Sequence, residues 1–164
     1  MSEIAQTASE MVSETASVLS LLPAGSTLED KIFALEAMML EQPQVDTPLR
    51  HWFCNGMYAR EFSVPAGTIL TGAIHLDDSI AVMQQGRVRV VNADGTEQDI
   101  TAPATFIQPA GTKRIGLVME DMVWTTFHTC KATTVEAAEL ELVTNERASP
   151  IQLTGRVRLT GEHP

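Results

Sequence analysis

His75 and His128 are the residues of this chain with the best claim to chemistry. Trp124, Thr126 and His128 alternate along one stretch and so share one face of any strand built there. If that face is turned into a barrel, His128 can approach His75. Two imidazoles with Asp77 or Asp78 make a weak metal site, because a divalent cation takes three or four protein ligands and no single motif here fixes three. The plainer expectation is a hydrogen-bonded interior His128 and two solvated loop aspartates. Covalent catalysis finds no support: there is no Ser/His/Asp or Cys/His spacing, no Gly-rich phosphate loop and no carboxylate pair on a motif. Cys54 and Cys130 lie near His51 and His128 in sequence, yet they form no Cys-x-x-Cys, which excludes the familiar zinc and thioredoxin spacings. Two buried free thiols are expected. No catalytic residue and no cofactor is assigned.

The elements that must position these residues fall into three kinds. Residues 4–22 place Ile4, Ala8, Met11, Val12, Leu19 and Leu22 near one helical stripe, which suggests an arm that docks or else an unstructured Ala/Ser/Thr/Glu tail. After Pro23-Ala24-Gly25, Ser26 and Glu29 have the spacing of a capping box. Leu28, Ile32, Leu35 and Met39 then predict a helix over 27–41 that lays an apolar face on something. From His51 the pattern changes to short apolar runs between turn residues. Strands are expected at 57–63, 68–75, 79–84, 87–92, 96–101, 104–108, 114–119 and 122–129, with turns at Gln85-Gly86 and Glu120-Asp121 among others. Eight short strands are most economically a jelly roll. Thr133 and Glu136 then cap a short helix ending near Thr144-Asn145. Residues 151–159 alternate as a half-buried strand that must pair with an edge of its own barrel or of a neighbouring chain. The boundaries that follow are an arm at 1–25, a helix packed on the barrel at 26–43, the barrel at 44–130 and a helix-and-strand extension at 131–164.

The chain of 164 residues is 44% hydrophobic, enough for one good core. Its formal charge of −10, from 21 acids against 11 bases, repels a phosphate backbone, so nucleic acid is not an expected partner. Residues 1–50 carry −6 of that charge, from eight acids and two bases, and are the more acidic part. Glu10 and Glu14 interrupt the first apolar residues and no basic segment precedes them, so neither a signal peptide nor a membrane span is expected, and the reducing cytoplasm is the expected place of synthesis.

The run from Gly67 through Ala73, His75 and Ser79 to Gly86 resembles the first motif of the cupin superfamily. Pro109-Ala110-Gly111 followed by Arg114 resembles the second. The glycines and proline that serve the turns are in register. By position, the ligands that the resemblance implies fall on Ala73, His75, Ser79 and Arg114, so only His75 keeps a metal-binding side chain, and Arg114 brings a fixed positive charge. The resemblance therefore implies a mainly β fold: a cupin-type jelly-roll β-barrel with an N-terminal helical extension, one short C-terminal helix and an extra C-terminal strand. Its metal site is degenerate, with His75 and His128 as weak candidates only. Arg114 at the barrel mouth beside His75 could hold a carboxylate or phosphate, or could pair with Glu61 or Asp121. His75, Arg114 and His128 are thus the candidate ligand-binding residues.

Several stretches, including Gly56-Met57-Tyr58-Ala59-Arg60-Glu61, Pro109-Ala110-Gly111-Thr112-Lys113-Arg114 and Trp124-Thr125-Thr126-Phe127-His128, look like small cupin-like proteins encoded by tailed bacteriophages, over roughly residues 28–142. In that group a further His is expected where this chain has Ser79. The likeness implies a non-enzymatic structural protein: a virion decoration, adaptor or tail and fibre-attachment module. It would be synthesised in the host cytoplasm and then carried in the virion, with copies of itself and phage capsid or tail proteins as partners and no membrane. The alternative class is a cupin-type small-molecule or metal-binding protein or enzyme acting in the infected cell. A third is a host-directed inhibitor using the acidic N-terminal segment.

Overall fold

The computed structural model of the chain describes residues 17–144 and 156–158. The segment 4–22, read from sequence as a helical arm or an unstructured tail, lies mostly outside the described residues, and within them Leu19–Leu21 form a single 3-10 turn. Helix α1 spans Leu28–Leu40. Its capping box sits one residue later than the sequence suggests. Thr27 holds the extended backbone of a cap, its hydroxyl accepts from the Asp30 amide at 3.0 Å, and Asp30 returns the bond to the Thr27 amide at 3.2 Å.

The strands are β1 (Leu49–Cys54), β2 (Met57–Val64), β3 (Thr68–Thr71), β4 (Ile74–His75), β5 (Ser79–Val91), β6 (Glu97–Thr101), β7 (Ala104–Gln108) and β8 (Ile115–Thr129). Helix α2 (Val135–Leu142), β9 (Val143–Thr144) and β10 (Arg156–Arg158) follow. Every pairing is antiparallel. The first half of β8 lies between β3 and the second half of β5, and its second half lies between β2 and the first half of β5. Two sheets therefore share two long strands: β10-β3-β8-β5-β6 and β1-β2-β8-β5-β7. This is a mainly β, jelly-roll barrel. No helix among the described residues is long and apolar enough to cross a membrane.

The long strands correct the expected pattern of shorter ones. Gln85-Gly86 and Glu120-Asp121 do not turn the chain; β5 and β8 pass through them with register shifts between Met83 and Val88, so the sequence signals mark bulges that bend a continuous strand. Gly86 has a φ of +89°, and a Cβ there would collide with the Asp121 carbonyl. Only glycine lets the two strands cross so closely. Strand β1, an edge of mostly exposed residues, was not foreseen. Cys130 is buried as expected, but Cys54 is exposed at the end of that edge.

Three apolar clusters follow from strand alternation. Between the sheets lie Val64, Ala81, Met83, Val88, Val118, Met122 and Trp124. On the outer face of the first sheet, Ile32, Leu35 and Met39 of α1, with Val18, cover Ile69, Val91, Ile115, Leu117 and Met119. Each side chain so buried is worth about 1.5–3 kcal/mol. The same contact contains a buried ion pair. Lys113 Nζ donates to both carboxylate oxygens of Glu36, at 2.8 and 2.7 Å, the Thr71 hydroxyl donates to Glu36, and Nζ stands 4.7 Å over the Phe33 ring. The third cluster joins Tyr58 and Cys130 to Ala138 and Leu142 of α2. Helix α2 is capped by Thr134, whose hydroxyl accepts from the Ala137 amide at 3.3 Å, rather than by Thr133 with Glu136. It stops at Leu142, short of Thr144-Asn145, because Val143 turns extended to pair with β4. Of the expected strand 151–159, residues 156–158 pair with β3, the edge of the chain's own barrel.

Candidate functional site

Alternation along four strands of the second sheet sends Tyr58, Arg60 and Phe62 of β2, Trp124, Thr126 and His128 of β8, Ser79, Ala81 and Met83 of β5, and Ala104, Phe106 and Gln108 of β7 to the barrel interior. The inward residues divide by chemistry. Toward one end Phe62, Met83, Phe106 and Trp124 stack into the apolar core, with Phe106 meeting Trp124 edge-on at 5.1 Å. Toward the other end the last inward row, Tyr58, His128, Ser79 and Gln108, is polar, and Arg60 and Thr126 stand next to it. Ser79 faces Gln108 across β5 and β7, and one residue on from the Ile80 and Phe127 pair the inward side chains are Ser79 and His128. Arg60 faces Thr126, and Tyr58 faces His128.

His75 enters this end from β4, which is held by β9 behind α2. The imidazoles of His75 and His128 stand 4.9 Å apart between centroids, so the sequence expectation that they approach is met by the geometry. His128 is buried and its Nε2 bonds the Thr126 hydroxyl at 3.0 Å. Tyr58 stacks near His128 and its hydroxyl bonds His51 Nδ1 at 2.8 Å. Arg114 lies at the rim, half-buried; its Nη2 donates to the Pro109 carbonyl at 3.0 Å. It pairs with neither acid proposed for it. Glu61 takes Arg50, and Asp121 accepts from the Ala66 amide at 2.8 Å. Asp77 and Asp78 are exposed, and Asp78 closes the loop after β7 by accepting from the Ala110 amide at 2.8 Å.

Electrostatically the site is neutral rings among cations. Burial holds His75 down to about 3, with the charges of His128, Arg60 and Arg114 pushing the same way. Burial followed by Arg60 holds His128 down to about 4. Both rings are therefore uncharged at neutral pH. Burial alone lowers Arg114 from its usual value. Arg60 reaches Glu139 of α2 only at 4.0 Å. Four buried polar atoms at this end lack a hydrogen-bond partner among the described residues: Arg60 Nε, His75 Nδ1, Ser79 Oγ and Gln108 Oε1.

These residues do not suit a divalent metal. The described residues contain no group of three His, Cys, Asp or Glu able to hold an ion. The two histidines that meet here are surrounded by guanidinium charge, which opposes a cation. Arg60, Gln108 and Tyr58 were not singled out from sequence. Alternation over 57–63 puts Tyr58 and Arg60 on one face, and alternation over 104–108 puts Gln108 on one face with Phe106; both were usable signals.

No protein-family model matches this sequence, and no curated protein does. Solved structures do match. A cupin superfamily protein from Desulfitobacterium hafniense is 13% identical, with 68% of this chain and 96% of that one covered and a TM-score of 0.45. A cupin-2 domain protein from Shewanella frigidimarina is 11% identical over 57% of this chain and 89% of its own, with a TM-score of 0.42. An acetylacetone dioxygenase from Acinetobacter johnsonii is 12% identical over 51% and 59%, with a TM-score of 0.43. The solved structures that this chain resembles include proteins of the cupin superfamily, and the resemblance is one of backbone architecture.

Proposed function

We propose that this chain is a non-enzymatic binding module whose barrel mouth takes a small anion, a carboxylate or a phosphate ester, without a metal. One observation carries the reading. Among the described residues Arg114, half-buried at the rim, makes one hydrogen bond, to a carbonyl, and pairs with no carboxylate, and it stands beside four buried polar atoms that have no partner there. A desolvated guanidinium is costly unless an anion answers it, and its planar fork suits two oxygens of one acid group. Arg60 adds a second positive charge, and the neutral His75, Ser79 and Gln108 add donors and acceptors without adding negative charge. Isothermal titration with inorganic phosphate and with citrate tests it. The wild type binds one of them, and Arg114→Gln weakens that binding about tenfold or more, as expected for a charged hydrogen bond worth about 1.5–3 kcal/mol. Failure of the wild type to bind either anion, or unchanged binding by Arg114→Gln, overturns the reading.

A second reading, compatible with the first, is service in a tailed-phage particle as a decoration, adaptor or fibre-attachment domain, made in the host cytoplasm and held by copies of itself or by capsid or tail proteins. It is supported by the phage-like stretches of sequence and by the bare apolar face of the second sheet. Mass spectrometry of purified particles tests it: stoichiometric recovery is expected, and absence from the particle rules it out.

A further inference from the structure

The two outer faces of the barrel are treated differently. Helix α1 covers the first sheet, whereas no described element covers the second. Across that second face one row of cross-strand partners is apolar from edge to edge: Trp52 on β1, Ala59 on β2, Phe127 on β8, Ile80 on β5 and Ile107 on β7. Trp52 is 46% exposed, Phe127 37%, Ile80 50% and Ile107 67%, and Met57 beside the row is 52% exposed. Together they offer roughly 500 Å² of largely apolar surface, a patch of the size that marks an interaction site and well over half of the ~800 Å² per partner of a standard interface.

We infer that this face is a two-fold interface between copies of the chain, with the row of one copy packed antiparallel on the row of the other. The row is self-complementary in that sense alone. A two-fold axis at Phe127, the middle residue, sets Phe127 on Phe127 of the second copy, the small Ala59 under Ile80, and Trp52 over Ile107. Charge favours the same meeting place. Two chains of −10 repel over most of their surfaces, but the row holds no charged residue, and in the row beside it the one acid, Glu61, is answered by Arg50. The cation beside the row, Arg50, stands 5.6 Å over the Trp52 ring and is already paired to Glu61, so a charged partner finds little unanswered charge here, whereas a second copy brings the matching shape. The anion site lies on the other side of the sheet, so the two proposals fail separately.

The test uses the full chain in sedimentation equilibrium at micromolar concentration. Wild type is expected to be a dimer. Ile107→Asp and Trp52→Lys, both at exposed positions on edge strands, are each expected to be monomeric with unchanged circular dichroism. Mixing the two variants should restore dimers. In the mixed pair one contact becomes Lys on Asp and the other is the native Trp52 on Ile107. A monomeric wild type overturns the inference, leaving the row to another protein or to the chain's own terminal segments. So does either variant remaining a dimer, or a mixture that stays monomeric.

Discussion

Between pH 7.5 and 5.0 this protein should lose about 4 kcal/mol of stability through two side chains, His75 and His128. In the folded chain they bind protons only near pH 3 and pH 4 respectively, against 6.5 for an unperturbed histidine. The unfolded chain therefore holds more protons than the folded one throughout the interval between those values. Stability rises with pH there: it is complete above about pH 7, falls as the pH drops through 6.5, and goes on falling until the folded rings themselves titrate. At pH 5.0 the unfolded rings are almost fully protonated and the folded ones almost wholly neutral. At about 1.4 kcal/mol per pH unit this is worth about 2 kcal/mol for each ring. That is a large share of the 5–15 kcal/mol that holds a domain of this size together. Asp99, held below the usual carboxylate value by its hydrogen bond to Arg89, titrates below the window. Urea unfolding followed by tryptophan fluorescence at the two pH values measures the difference, with Trp124 buried in the core as reporter. His75→Asn and His128→Asn should each remove about 2 kcal/mol of the pH-dependent loss, to which His51, also held low by burial, adds in the same direction, whatever either variant does to stability at pH 7.5. If both variants lose as much between pH 7.5 and 5.0 as the wild type, the rings are not neutral in the fold and the electrostatic description of the site is wrong.

Other consequences are equally open to measurement. Breaking the buried Glu36 and Lys113 pair by Glu36→Ala should cost about 3–5 kcal/mol in urea unfolding, whereas Glu36→Leu with Lys113→Met should recover most of it; equal losses in both would show that the charges themselves stabilise the fold. Gly86→Ala must strain the backbone and push Asp121 away, so a loss of at least ~1–3 kcal/mol is expected, and a neutral substitution would place the strand crossing elsewhere. Thr27→Ala should cost ~1 kcal/mol by removing the cap of α1, while Ser26→Ala should cost little; the reverse order would restore the capping box first expected from sequence.

Much of the barrel is legible in the sequence because turn residues and alternation speak locally. Pro65-Ala66-Gly67 and Asn92-Ala93-Asp94-Gly95 punctuate true ends of strands, and the alternation of Trp124, Thr126 and His128 places His128 inside. Gly86 misleads for a physical reason: a residue at positive φ serves a turn and a bulge alike, and which one forms depends on whether a strand thirty-odd residues later runs beside it. Strand β1 is obscure because Leu49–Cys54 lies at an edge, where Trp52 and Leu49 remain exposed and no clean period develops. Alternation within β2 and β7 gives the faces of Arg60 and Gln108, but that these faces meet at His128 and Ser79 follows from register across strands, which no short window contains. Lys113 and Glu36, separated by 77 positions, carry no mark of their meeting until α1 is laid on the sheet.

Because β5 and β8 each belong to both sheets, the barrel has no seam along which one sheet can peel away from the other. Opening either layer means tearing hydrogen bonds from strands that the opposite layer still grips. Amides along the whole length of the shared pair should then exchange with solvent water at one common rate, set by global unfolding. The edge strands β1, β6 and β7 can fray singly. A barrel of this kind meets heat or a mechanical pull as a single body, yielding all at once.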